Sequence, residues 1–312
     1  MLNRSPKTAD AYWGWCYQFL KFFVRGSTWT HPRDLGPRDI EAFLTHLARD
    51  RHVAPSTQNQ ALQGILFLYH RVLQIQIQGV DALRAKPNRY LPTVLNRDET
   101  RRLFAQLHGR DKLVASLCFG AGMRIGEVFE LRLHDLDLER RMIHIRQAKG
   151  HKDRIVPLPQ ALLPLLKQQI ESTMHWHAVD VADGCARVPL PYALERRLPR
   201  AASELGWFWL FCSAHRSKEP GTGRVGRFHL DTSTFTRGFS EAVRRAKIWK
   251  RVTAHTLRHT FATHLLDDRT DIVTIKELLG HESLETTQIY THAKQGGVAG
   301  TISPLDTLMR IG

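Results

Sequence analysis

The chain has 312 residues and carries 45 Lys and Arg against 30 Asp and Glu, a net charge of +15 before its 17 histidines are counted. That length accommodates two domains with separate cores, and 42% hydrophobic with 24% charged residues excludes a disordered polymer. The charge favours a polyanionic partner without choosing between DNA, RNA and anionic lipid.

Four cysteines, Cys16, Cys118, Cys185 and Cys212, are scattered with no C-x-x-C pair, which argues against zinc knuckles and a disulfide framework. The N-terminus has no basic start followed by an apolar run, so a secretory signal is not expected. The longest apolar stretches, such as Ile155 to Leu166, are broken by Pro157, Pro159 and Pro164, and none has the length to span a bilayer. A cytoplasmic protein with no membrane partner is the expectation.

In chain order, Ser5-Pro6 opens a helix over 5–24 in which Tyr12, Trp15, Phe19 and Phe22 recur at helical spacing. A second helix is predicted from Pro37 to Arg49, with Ile40, Phe43, Leu44 and Leu47 on its apolar face. A third runs from Ser56 to about Leu73 through Leu62, Ile65, Leu66, Tyr69 and Leu73. Lys86-Pro87-Asn88-Arg89-Tyr90-Leu91-Pro92 reads as an extended linker. Beyond it, 97–108, 111–120 and a stretch from Ile125 to Leu133 read as helices. Arg141 to Arg146 and Arg154 to Leu158 read as a β-hairpin with Lys149 near its tip. Helices follow at 160–178, about 234–246, 254–266, 272–279 and 284–291. Residues 179–232 fit poorly and contain Trp207-Phe208-Trp209 and what reads as a basic loop from Arg216 to Arg227. The fold class is mainly α with a small β-sheet or hairpin (α+β).

Chemistry concentrates in His255-Thr256-Leu257-Arg258-His259, Leu279-Gly280-His281 and Tyr290, with Arg124 and Lys149 upstream. On a helix His255 and Arg258 share a face. The ordered set Arg, Lys, His-x-x-Arg, His, Tyr suits attack on a phosphodiester. Arginines grip the phosphate bidentately, the tyrosine is a nucleophile, and a lysine or histidine moves protons. Glu127, one turn from Arg124, is expected to pair with or orient it. Lys152 competes with Lys149. His255 and His259 have the i, i+4 spacing of helical zinc ligands, but the glutamate of H-E-x-x-H is missing, so no metal is expected. No G-x-x-x-x-G-K-[ST] loop is present, and no cofactor is expected.

Arg124, Lys149, His255, Arg258, His281 and Tyr290, in this order and at similar spacing, resemble the active site of the tyrosine recombinases, the phage-integrase family. The resemblance implies a helical core-binding (SAM-like) DNA-binding domain at 1–86, a linker at 87–91 and a mixed catalytic domain at 92–312, closing on DNA as a C-shaped clamp. It implies strand cleavage through a 3′-phosphotyrosine, chemistry shared with type IB topoisomerases, and selects Lys149 as the proton donor. Leu190-Pro191-Tyr192-Ala193-Leu194, Gly206-Trp207…Leu210-Phe211 and Phe228-His229-Leu230 are similar to the extra segment of integron integrases, here at about 179–232. That similarity implies gene-cassette insertion and excision at attI duplex and folded single-stranded attC hairpins. It also implies a homotetrameric synapse of protomers that are monomeric when free, with Ile302 to Leu308 docking on a neighbour. Extrahelical bases would meet Trp207, Trp209, Phe228 and His229, and phosphates Arg224 and Arg227. Phe228-His229 departs from the paired histidines common in that group. The alternatives are a phage-type or XerC-like recombinase on duplex sites, and a catalytically inactive DNA-binding protein.

Overall fold

A computed structural model describes residues 6–79, 91–148, 152–190 and 194–280. The chain forms two compact units, Met1–Tyr90 and Leu91–Gly312. Its class is as predicted: the described residues are mostly helical, with two small antiparallel sheets among them. No described helix is long and apolar enough to cross a membrane.

The first unit packs α1 (Pro6–Phe22), α2 (Pro37–Arg49) and α3 (Pro55–Phe67), the last continuing as a π-helical turn over Leu68–Leu73. Prolines stand in the first turns of all three helices, where a missing N–H costs nothing. The apolar faces meet in a core of Phe19, Ile40, Phe43, Leu47, Leu62, Ile65 and Tyr69. Gly64 lets α3 approach α1, because a Cβ there would lie 3.3 Å from that of Trp15. Phe22, expected in the core, is 40% exposed and stacks on His46.

The second unit is built on α5 (Gly109–Gly120), whose Leu113 to Cys118 are buried on every side. Its other described helices are α4 (Arg97–Ala105), α6 (Ile125–Phe129), α7 (Leu163–Ala182), the short α8 (Leu194–Arg197), α9 (Ser233–Arg245), α10 (Ala254–Asp267) and α11 (Ile272–Leu279). The predicted hairpin is β2 (Met142–Ala148) with β3 (Lys152–Pro157), joined by a short β1 (Leu136–Asp137) into a three-stranded sheet. Ile143, Ile145 and Val156 turn inward onto the helical core. The connecting residues 149–151, including Lys149, lie outside the described residues, as do the helix expected at 284–291 and Ile302 to Leu308.

The segment at 179–232 is more ordered than its sequence suggested. The stretch read as a basic loop is a hairpin, β4 (Cys212–Lys218) with β5 (Val225–His229), turning through Gly221 and Gly223 at φ 85° and 70°. Trp207 ends a 3₁₀ turn, Leu205–Trp207, and Trp209 bridges to Arg132, so the two do not alternate along a strand. A small separate core of Val188, Phe208, Trp209 and Cys212 fills the segment.

Arginines were expected to face phosphate here, and the structure corrects this for Arg227. It is 2% exposed and grips Asp180 through Nε and Nη2 at 2.6 Å, with Trp176 stacked on its guanidinium. Register explains the burial: Arg227 faces Arg216 across the hairpin, and both reach Asp180 on α7. Burial raises the Asp180 pKa, but the hydrogen bonds from Arg227 and Arg216 outweigh it and hold the carboxyl below its ordinary value. Removing Arg227 takes two charge-assisted hydrogen bonds from the buried Asp180 and leaves it Arg216 alone, at a cost of up to about 3–5 kcal/mol. Arg227→Met is therefore expected to lower unfolding free energy by that order in urea titration. A loss under about 1 kcal/mol would show that the pair contributes little.

Candidate active site

Met123-Arg124 lies where α5 ends and α6 begins. Gly122 makes the turn at φ 62°, and a Cβ there would fall 2.5 Å from the Phe261 ring, so only glycine fits. Arg124 is the N-cap of α6: its N–H donates to Glu127 Oε2 at 2.8 Å and its Nη1 to Oε1 at 2.7 Å. Arg154, from β3, donates to both oxygens of the same carboxylate at 2.9 and 2.6 Å, and its Nε donates to Leu278 O. Arg258 on α10 is 1% exposed and lies 3.9 Å from Glu127. Its Nη1 and Nη2 donate to Gly122 O and Leu279 O. Burial raises the Glu127 pKa, yet the guanidiniums of Arg154 and Arg124 outweigh it and keep the group ionised.

Thr253 caps α10, accepting the Thr256 N–H, and so fixes His255 in the first turn. His255 is exposed, with its ring edge-to-face against His259 at 4.5 Å. Partial burial, then Arg258 and Arg124, hold the His255 pKa below its ordinary 6.5. His259 is held at about 4 by burial, His255 and Arg258. The structure thus gathers Arg124, Glu127, His255 and Arg258 in one place. His281 follows Gly280, the left-handed cap of α11, and lies with Tyr290 and Lys149 outside the described residues.

Sequence reasoning missed Arg154 and Arg132. Arg154 stands opposite Ile145 in the sheet, and an arginine on an inward-facing strand position was the available signal. Arg132 joins the 179–232 segment to the domain. It is 7% exposed, donates to Trp207 O and Pro189 O at 2.6 and 2.7 Å, and stacks on Trp209 at 3.7 Å. Burial pulls its pKa down to about 10.

A cleft of about 750 Å³ runs from Arg124 and Glu127 past His134, His144 and Arg146 to Trp207, Trp209 and His229. Trp207 is half-buried, with His134 edge-on at 4.3 Å. Trp209 is 9% exposed, Arg132 covering its ring and His229 against its edge, so its faces are not offered for stacking as expected. Phe228 and His229 are half-buried. Arg224 is exposed and pairs with Glu195 at 2.7 Å.

Residues 93–296 match the Phage integrase family and residues 1–79 the phage integrase N-terminal SAM-like domain. The chain belongs to the phage integrase family. This tyrosine recombinase is 44% identical to an integrase/recombinase of Escherichia coli, over 98% of its own length and 90% of that protein. It is 31% identical to tyrosine recombinase XerA of Thermococcus kodakarensis, over 93% and 86% of the two chains. Its fold is similar to XerH site-specific recombinase bound to palindromic difH substrate in a post-cleavage complex, with a TM-score of 0.61 and 21% identity. The match covers 96% of this chain and 79% of that one. A transposon integrase in complex with transposon right end DNA gives 0.63 at 14% identity, over 97% and 95%. The recombinase is therefore a site-specific DNA-strand-exchange enzyme by family.

His259 links the site to pH. Its folded pKa of about 4 lies below the unfolded value near 6.5, so the unfolded chain takes up a proton first as pH falls. Stability from neutral His259 is complete above pH 6.5 and is lost between 6.5 and 4, with a slope of up to about 1.4 kcal/mol per pH unit. Urea midpoints measured from pH 7.5 to 4 should fall less steeply for His259→Gln than for the parent. Parallel curves would mean the ring titrates normally.

Proposed function

We propose that this recombinase cuts and rejoins DNA at integron-type sites, inserting and excising gene cassettes whose recombination sites are folded single-strand hairpins. The observation that carries the reading is the cleft that joins Arg124 to Trp207 and His229, residues of the segment by which the chain resembles integron integrases. An unpaired base turned out of a hairpin stem is a planar apolar object of the kind such a cleft accepts, and a half-buried ring beside a histidine supports it by stacking. The scissile phosphate would lie against the arginines, at the other end.

The chemistry follows from the residues. Arg124 and Arg258 hold the non-bridging oxygens and stabilise the charge that gathers there in the transition state. Tyr290 attacks phosphorus, forming a 3′-phosphotyrosine and breaking the bond to the 5′ oxygen. That oxygen leaves as a hydroxyl with a proton from Lys149. His255, held neutral by its surroundings, accepts the tyrosine proton or positions the phosphate. His281 donates to the phosphate. Attack by a 5′ hydroxyl on the phosphotyrosine reverses the steps and joins a new strand, so no nucleotide cofactor is required. Glu127 positions Arg124. The 1–86 domain adds phosphate contacts, a tetramer of protomers that are monomeric when free assembles the synapse, and the enzyme works in the cytoplasm.

Tyr290→Phe should retain DNA affinity and form no covalent adduct. Lys149→Ala should slow cleavage by about 10²–10⁴, and a substrate with a 5′-bridging sulfur, which leaves without protonation, should restore it. Rescue of Lys152→Ala in place of Lys149→Ala would move the acid to Lys152.

The cassette reading is tested separately. Trp207→Ala should weaken binding to a hairpin bearing extrahelical bases more than to the same hairpin with those bases deleted, by about 1–3 kcal/mol per base. Equal losses on both would favour a duplex-site enzyme of the XerA kind, with Trp207 serving the fold.

A further inference from the structure

Trp249 is 97% exposed, the most exposed of the large apolar side chains described. It lies on the turn between α9 and α10, and that turn is not loose. Ile248 is buried in the domain core, and Arg102 donates to Ala246 O at 2.7 Å. Lys250 Nζ donates to Val94 O and to Glu99 Oε2. Lys247 takes a left-handed φ of 52°, which reverses the chain after α9. A pinned turn that holds a whole indole in water has its ring prepared for a contact, since the ordering cost is already met within the fold.

The neighbours of Trp249 define the partner. Lys247, Lys250 and Arg251 are exposed, and among the described residues neither Lys247 nor Arg251 forms an ion pair with an acidic side chain. The exposed row continues through Thr253, the cap of α10, to His255 of the candidate active site. An aromatic ring between cations suits nucleic acid, the ring packing on a base or sugar and the cations on phosphates.

We propose that the turn from Ala246 to Thr253 is a second DNA contact, with the Trp249 indole packed on a base or deoxyribose and Lys247 and Arg251 on flanking phosphates. It rests on the reading that His255 lies against a DNA phosphate. From 249 to 255 the chain spans at most about 20 Å, and nucleotides rise by about 3.4 Å along a strand. The contact therefore falls on the strand close to the cleaved phosphate.

The test uses full-length protein and a labelled random-sequence duplex at concentrations where one protomer binds. Trp249→Ala should keep the parent melting temperature and lose affinity by about 5- to 150-fold, the range of one lost stacking contact. Trp249→Phe should recover most of it. The log–log salt slope should stay at the parent value in Trp249→Ala, because no charge is removed. It should flatten by about one in Lys247→Ala and in Arg251→Ala. Unchanged affinity in Trp249→Ala overturns the proposal. So does a loss confined to complexes holding two protomers, which would make the indole a protein contact. Adduct formation by the parent protein is scored in parallel. Its absence, with a Trp249 effect intact, would sink the strand-cleavage reading and leave the DNA contact standing.

Discussion

The carboxylate of Glu127 is the joint on which the candidate active site depends. It draws the N-cap residue of α6, an arginine from β3 and the neighbourhood of Arg258 on α10 to one point. These elements are distant in sequence, and each hydrophobic contact between them is non-directional. A carboxylate taking charge-assisted bonds from two planar guanidiniums fixes angles that packing alone leaves free. Its burial is costly in isolation and is offset here because two guanidiniums and the Arg124 backbone N–H donate to its oxygens. The same group that costs the fold most if mispaired is therefore the one that sets the spacing of Arg124 and Arg258.

The inserted segment is attached by a second set of buried arginines. Arg132 reaches two backbone carbonyls and the Trp209 ring, while Arg227 and Arg216 close on Asp180. Both devices couple the segment's small core to the large one without enlarging either. Electrostatically they take Arg132 and Arg227 off the surface and pair Arg216 with Asp180, so the positive charge left to meet a polyanion lies elsewhere. The exposed basic side chains of the turn at Trp249 are part of it.

The periodic helices were legible in the sequence because one apolar face and a proline in the first turn state the same boundary: α2 runs from Pro37 to Arg49 as the pattern implies. The β2–β3 hairpin was legible for the same reason, alternating residues closed by turn chemistry. In the 179–232 segment this agreement of signals breaks down. Arg216 and Arg227 read as a solvated loop, since a buried arginine looks like any other until its carboxylate, on α7, is brought to it by the fold. Trp207 and Trp209 look alike in sequence; the fold packs Trp209 into the small core, under Arg132 at 3.7 Å and beside His229, while Arg132 stands 5.6 Å from the Trp207 ring. In the candidate site, Arg124, His255 and Arg258 were readable as a spaced set, whereas Arg154 was not. Its role comes from strand register and from Leu278, far along the chain.

How Arg258 is held says what the site is prepared to receive. Its two terminal nitrogens meet the carbonyl oxygens of Gly122 and Leu279, which are neutral acceptors. Had carboxylates held it, its charge would be cancelled and the site would present no net attraction to an anion. Carbonyls orient the fork, while the Glu127 carboxylate stands farther off, at 3.9 Å. Glu127 lies within 3.9 Å of Arg124, Arg154 and Arg258, so one carboxylate is shared among three guanidiniums in an interior where low polarisability strengthens each interaction. Holding Arg258 in this way requires the Gly122 carbonyl to point inward, and this needs the left-handed turn that only glycine adopts against Phe261. The left-handed turn, the carbonyl acceptors and the shared carboxylate are thus one arrangement, which sets the guanidiniums of Arg124, Arg154 and Arg258 around the point where the proposed function puts the scissile phosphate.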